Sequence, residues 1–63
     1  MTVQFLYTII SGDERIELYD FFNHSILYSG EFKDLPLKFY DLHVYILSSD
    51  CIDNDSMIFI TVK

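Results

Sequence analysis

The chain is built from short runs in which apolar and polar residues alternate, separated by small polar residues. Alternation with a period of two is typical of strands that bury one face. In the first run, Val3, Phe5 and Tyr7 alternate with their neighbours, and the same pattern returns four more times. The sequence therefore predicts five strands, at residues 3–10, 15–22, 25–32, 43–48 and 57–62.

Turn-forming residues and one helix signal connect these runs. Residues 11–14 read Ser-Gly-Asp-Glu, which predicts a tight turn and a hairpin between the first two strands. Gly30 interrupts the third strand and predicts a bulge or a bend. Asp34 can cap free N–H groups and Pro36 fits the first turn of a helix, so a short helix is expected before the fourth strand. Its apolar face would consist of Leu35, Phe39 and Leu42.

The predicted fold is α+β and β-rich. We expect one domain over residues 1–63, with a single curved antiparallel sheet of about five strands and one short helix between strands 3 and 4. Residues 49–56 are expected to form an exposed acidic loop. Alternation fixes which residues share a face of the sheet, but it leaves open which face is buried.

Composition agrees with a small folded domain. The 63 residues are 51% hydrophobic and include six Phe and five Tyr, so disorder is not expected. Apolar runs such as residues 57–60 are far shorter than the roughly 20 residues of a spanning helix, so no membrane partner is expected. The lone Cys51 and an N-terminus without signal-peptide features predict a soluble protein of the cytoplasm.

Charge narrows the choice of partners. Ten acidic residues against four basic ones give a net charge of −6 at pH 7. Binding to nucleic acid requires clustered Lys and Arg that displace counterions, and the four basic residues are scattered, so direct nucleic-acid binding is not expected.

Reactive groups are sparse, and the expectation is a non-enzymatic protein without cofactor or metal. His24, His43 and Cys51 could combine into a nucleophile and base, but their spacing matches no known arrangement. Oxygen ligands gather in the last predicted loop, yet the spacing is wrong for an EF-hand, and a solvated acidic loop is the simpler interpretation. These ligands are Asp50, Asp53, Asn54 and Asp55.

One segment resembles known proteins. Residues 26–36, with Tyr28-Ser29-Gly30 at the end of a strand followed by Asp34-Leu35-Pro36, and then residues 40–44, resemble small acidic proteins encoded by phages and prophages of Gram-positive bacteria. Members with known roles include anti-CRISPR and other anti-defence inhibitors, several of which imitate DNA. The resemblance implies a phage-type inhibitor acting in the cytoplasm of the host cell, and it assigns no functional residues.

The residues expected to bind a partner are carboxylates and one tyrosine. Carboxylates on a rigid sheet can imitate phosphates and occupy the basic channel of a host nuclease or another DNA-binding protein. If Ile16 and Leu18 face inward, Tyr19 and Phe21 face outward beside Glu17 and form an apolar patch with an acidic rim. The alternative is a structural or regulatory interaction module that acts as a homo-oligomer, such as a homodimer. The predicted partner-binding residues are Asp13, Glu14, Glu17, Tyr19, Asp50, Asp53 and Asp55.

Overall fold

The fold is a four-stranded mixed sheet with a cover layer on one side. The computed structural model describes residues 1–52 and 55–63, and within them the strands are β1 (Arg15–Asp20), β2 (Ser25–Glu31), β3 (Val44–Ile52) and β4 (Asp55–Val62). Their order across the sheet is β2-β1-β4-β3. β1 pairs antiparallel with β2, and β3 pairs antiparallel with β4. The two central strands, β1 and β4, run parallel, so β2 and β3 form the edges.

Strand register decides which side chains share a face. Residues that pair across neighbouring strands direct their side chains to the same side of the sheet. One transverse row of paired residues consists of Tyr28, Leu18, Ile60 and Leu47, and its two central members are fully buried. This side is the buried face of the sheet, and the opposite side is called the open face below.

The cover layer consists of two segments that hold each other through backbone hydrogen bonds. The N-terminal segment contains a 3₁₀ helix at Gln4–Thr8, and the β2–β3 connection contains two more at Phe32–Asp34 and Leu37–Phe39. The amide of Val3 donates to the carbonyl of Leu42 at 2.9 Å. Among the residues whose burial is described, the core takes four from this layer and four from the sheet: Val3, Leu6, Phe32 and Leu35, and Ile16, Leu18, Ile60 and Val62.

The predicted first strand at residues 3–10 is wrong, because this segment forms the 3₁₀ helix Gln4–Thr8. Val3 and Leu6 are fully buried, whereas Phe5 and Ile9 are more than half exposed. The buried positions are thus three residues apart, which matches a 3₁₀ turn rather than a strand. The amide of Leu6 donates to the carbonyl of Val3 at 3.0 Å, as this helix type requires. The predicted first hairpin therefore does not exist, although a turn does join Ser11 to Glu14.

The predicted short helix is replaced by two separate 3₁₀ turns. Leu35 has an extended backbone, as expected for a residue that precedes a proline, and this interrupts the helix. Asp34 lies inside the first turn and provides no side-chain cap. The predicted apolar face is nevertheless confirmed, because Leu35 is buried and Phe39 and Leu42 pack against the core. No helix within residues 1–52 and 55–63 has the length and apolar character to cross a membrane.

The remaining differences concern the sheet. The antiparallel five-stranded sheet is wrong, because the described residues form four strands with a parallel pair at the centre. The sequence predicts a bulge or bend at Gly30, but the bulge lies elsewhere in β2. Gly30 pairs regularly with Ile16, and the register shifts between Leu18 and Tyr19, opposite the unpaired Leu27. The predicted acidic loop at residues 49–56 is wrong for residues 49–52 and 55–56, because β3 continues to Ile52 and β4 begins at Asp55. Residues 53 and 54 lie outside the described part of the chain.

Tyr7 connects the two segments of the cover layer. Its ring stacks on Phe32, with 3.8 Å between ring centroids and an interplanar angle of 9°. Its hydroxyl donates to the carbonyl of Phe32 and accepts a hydrogen bond from the hydroxyl of Tyr40 at 3.4 Å. Burial, followed by the neighbouring Tyr40, raises the pKa of Tyr7 well above its ordinary value. The contact thus joins the N-terminal segment to the β2–β3 connection.

We expect Tyr7→Phe to lower the free energy of unfolding by about 1–3 kcal/mol at neutral pH, because the Phe32 carbonyl loses its donor. A raised pKa keeps the folded phenol protonated where the unfolded one ionises, so this contribution is present below about pH 10 and is lost as pH rises further. Urea denaturation at several pH values should therefore show a shallower alkaline decline in the variant. Tyr45→Phe, at a half-exposed ring, is the control, and an equal loss in both variants would contradict this role of Tyr7.

Candidate protein-interaction surface

The open face carries a row of mainly apolar side chains across all four strands. Strand register places Ile26, Tyr19, Thr61 and Ile46 side by side in this row, which is called the Tyr19 row. Ile26 is 58% exposed and Ile46 is 48% exposed, while Tyr19 and Thr61 are partly buried. The cover layer packs on the other side of the sheet, so these side chains face solvent. The prediction that Tyr19 lies opposite the inward-facing Ile16 and Leu18 is consistent with this placement.

Charged side chains become more frequent along the open face with distance from the Tyr19 row. The next row contains Ser29, Glu17, Phe59 and Ser48, which also pair across the sheet. Beyond it, Asp50 pairs with Met57 and Arg15 pairs with Glu31. Asp55 begins β4 two residues before Met57 and has the same parity. The sheet therefore places four of the predicted binding residues on one face: Glu17, Tyr19, Asp50 and Asp55.

Two of the other predicted carboxylates, Asp13 and Glu14, lie next to this face rather than on it. Asp13 and Glu14 belong to the turn before β1. Asp13 and Glu31 both contact the ammonium group of Lys33, at 3.5 and 3.2 Å, and the hydrogen bond with Glu31 raises the pKa of Lys33. A Glu14 carboxylate oxygen lies 3.5 Å from the hydroxyl of Ser56, which brings the turn beside the start of β4. Asp53 lies outside the described residues.

The opposite end of the sheet is aromatic. β1 and β4 end there and β3 begins there, so Phe21, Tyr45 and Lys63 come together. The rings of Phe21 and Tyr45 meet edge to face with 5.1 Å between their centroids. The Lys63 ammonium lies 4.4 Å from the Tyr45 centroid and 5.2 Å from that of Phe21. Sequence reasoning missed Tyr45 and Lys63 as part of the surface, since only the strand order brings them to Phe21.

The β1–β2 turn orients this aromatic end. Asp20 accepts hydrogen bonds from the amide of Phe22 and from the side chain of Asn23, and the latter bond lowers the pKa of Asp20. His24 has a φ of 51°, in the left-handed region, and its Nδ1 lies 3.2 Å from the Tyr19 hydroxyl. Phe22 is left 66% exposed. The turn thus links the Tyr19 row to an exposed aromatic cluster.

The reactive groups considered for catalysis are not brought together. His43 and Cys51 lie at opposite ends of β3, eight residues apart, which corresponds to about 26 Å along an extended strand. His24 lies at the aromatic end, far from Cys51. Within residues 1–52 and 55–63, no group of three His, Cys, Asp or Glu side chains is placed to hold a metal ion. Asp53 and Asn54, two of the four possible oxygen ligands, lie outside the described residues.

The open face therefore offers apolar area and charge. An apolar row can exclude water from a partner, and the carboxylates beside it can set the orientation of that partner. Comparison of the chain with protein-family models, with curated proteins and with solved structures found no significant match.

The two faces can be told apart by one matched pair of substitutions. Ile60 is fully buried on the buried face, and Ile26 is 58% exposed on the open face. Ile60→Val should lower the free energy of unfolding by about 0.5–1.5 kcal/mol, because it leaves a small cavity. Ile26→Val should change it by less than about 0.5 kcal/mol. Urea denaturation followed by circular dichroism measures both, and an equal loss at Ile26 would mean that the open face is covered.

Proposed function

We propose that the protein is a non-enzymatic inhibitor or modulator that binds a basic, nucleic-acid-binding protein of the host cell, such as a nuclease. The observation that carries this proposal is the open face, where the Tyr19 row lies beside carboxylates on a rigid sheet. The proposed action is occlusion, in which the bound domain fills a surface that the partner uses for its own ligand. No chemical step is involved.

The Tyr19 row would supply much of the binding energy. Tyr19 presents an aromatic ring with a polar tip, a combination enriched at protein interfaces. Ile26 and Ile46 flank it and are about half exposed, so a partner would remove apolar area from water. Because all three lie on paired strands, they are ordered before binding and lose little conformational freedom.

Charge favours a basic partner. On the open face, Glu17, Glu31, Asp50 and Asp55 outnumber Arg15, and the net charge of the chain is −6, so a negative potential is expected over that face. A groove that binds phosphates is positive, and such complementarity speeds encounter and selects orientation. The separation of these carboxylates is fixed by the sheet, in which neighbouring strands lie about 4.8 Å apart and alternate residues about 6.8 Å apart. The carboxylates would thus stand in for a fixed array of phosphates.

The test compares two variants of equal charge. Glu17→Gln with Asp55→Asn removes two charges from the open face, and Asp34→Asn with Asp41→Asn removes two exposed charges elsewhere. Each protein is immobilised and exposed to host lysate, and retained proteins are identified by mass spectrometry at increasing salt. We expect the open-face variant to retain a basic, nucleic-acid-binding protein about threefold to tenfold less tightly, since each exposed pair contributes up to about 1 kcal/mol. The control should behave as the wild type, and added DNA should compete.

Equal retention by both variants would contradict acidic recognition. Capture that resists salt and is lost on Tyr19→Ala would instead support the alternative, an interaction module whose apolar face carries the binding. Such a module would act as a structural or regulatory homo-oligomer if the retained protein is the chain itself.

A further inference from the structure

The outer edge of β3 carries backbone groups that the sheet does not use. The amide of Phe21 donates to the carbonyl of Val62 at 2.9 Å, and the amide of Lys63 donates to the carbonyl of His43 at 3.1 Å. The backbone N–H and C=O groups of successive β4 residues therefore point alternately toward β1 and toward β3. Since the backbone groups of Lys63 point toward β3, those of Thr61, two residues earlier, also point toward β3.

The same alternation assigns the groups of β3. Thr61 pairs with Ile46, so the backbone groups of Ile46 turn toward β4, and those of Leu47 and Ser49 turn away from the sheet. Cys51 also turns outward, and its amide donates to the carboxylate of its neighbour Asp50 at 2.8 Å. Leu47 and Ser49 together therefore present two N–H and two C=O groups along a regular stretch of edge strand.

The two edges of the sheet differ in protection. Edge strands are usually guarded by bulges, irregular backbone, proline or lysine, because free strand edges pair with other chains. β2 has such guards, since its register shifts at Leu27 and Gly30 has a φ of 153°. β3 has such features only at its start, where its register shifts between Val44 and Ile46 and the amide of Val44 donates to the carbonyl of Met1. From Ile46 onward its pairing with β4 is regular, and the strand contains neither Lys nor Pro. Large apolar side chains that are 41–50% accessible lie along it: Tyr45, Ile46 and Leu47.

We propose that β3 pairs with β3 of a second copy of this chain, antiparallel and around a two-fold axis at Ser48. In this register Leu47 of each copy lies opposite Ser49 of the other. The outward N–H and C=O groups of both residues are then satisfied by backbone hydrogen bonds. The result is one continuous eight-stranded sheet. This pairing goes beyond the proposed function, which requires only the open face of a single copy.

The positions of Asp50 and Lys63 favour pairing with a second copy of the chain, and they favour the antiparallel direction. Asp50 lies near one end of β3, and Lys63 lies over Tyr45 at the other end. Antiparallel pairing directs Asp50 of each copy toward the Lys63 end of its partner, so two attractive contacts form across the axis. Parallel pairing in register would bring the two Asp50 carboxylates together, which is destabilising. The edge is thus complementary to itself in one direction only.

The geometry also preserves the open face. A two-fold axis between antiparallel strands of one sheet is perpendicular to that sheet, so the open faces of both copies point to the same side. The dimer would present two Tyr19 rows on one continuous surface.

The first test is sedimentation equilibrium over a wide range of protein concentration. The wild type should show a monomer–dimer equilibrium. Ser49→Pro removes one outward N–H at an edge, where proline is tolerated, and should leave the protein monomeric where the wild type is dimeric. Circular dichroism checks that the variant is folded. A wild type that stays monomeric throughout, or a folded Ser49→Pro variant that dimerises equally well, would overturn the proposal.

A charge swap tests the direction of pairing without touching the backbone. Asp50→Lys and Lys63→Asp should each weaken dimerisation several-fold, and the double variant should recover most of the loss. Such recovery reports an interaction between the two positions, which a purely structural role would not give. Losses that simply add in the double variant would contradict the antiparallel pairing.

Amide hydrogen exchange supplies an independent readout if Ser49→Pro does not fold. The amides of Leu47 and Ser49 should become protected as concentration rises, whereas those of Ile46 and Ser48 should be protected at every concentration. Protection that rises without this alternation would overturn the register. Dimerisation that survives both charge reversals but is lost on Ile26→Asp would assign the interface to the open face instead.

Discussion

The structure depends on one constraint, which is that the buried core lies on a single face of a single sheet. The described segments outside the sheet pack on that face, and side chains of the other face such as Ile26 and Ile46 stay about half exposed. The cover itself is irregular, and Val3, Leu6, Phe32 and Leu35 reach the core from 3₁₀ turns. Their backbone groups are satisfied by each other and by the loop before β1, as where the amide of Lys33 donates to the carbonyl of Gly12. The surface available for binding is thus a direct result of how the core is closed.

Strand order also gives the domain two chemically different ends. Because β1 and β4 are parallel, the residues after both strands meet, and Phe21 and Lys63 join Tyr45 at the aromatic end. The residues before both strands meet at the other end, where Glu14 approaches Ser56. An antiparallel centre would have mixed these groups. The strand topology therefore separates the aromatic residues from the carboxylates, and neither residue type is clustered along the chain.

Much of the sheet could be predicted from the sequence, whereas of the cover layer only the apolar face of Leu35, Phe39 and Leu42 could. Alternation located β1, β2 and most of β3 and β4, and it grouped Ile16 with Leu18 on one side. The same signal failed at residues 3–10, because this apolar segment contains accidental alternation although its buried residues, Val3 and Leu6, are three positions apart. The parallel centre was missed since nothing local distinguishes a strand that pairs with its neighbour from one that pairs 42 positions away, as Ile16 does with Ile58. The open-face position of Tyr19 needed only the alternation, whereas Lys63 needed the strand order.

The pairing of β1 with β4 has a consequence for synthesis of the protein. During translation β1 and β2 emerge early, but the central neighbour of β1 lies at the far end of the described chain. The edge of β1 that faces β4 therefore stays unpaired on the ribosome until β4 has left the exit tunnel. Long-range pairing of this kind slows folding and lengthens exposure to proteases and to other nascent chains. Chaperone demand should accordingly be set by the last strand to appear rather than by the overall stability of the domain.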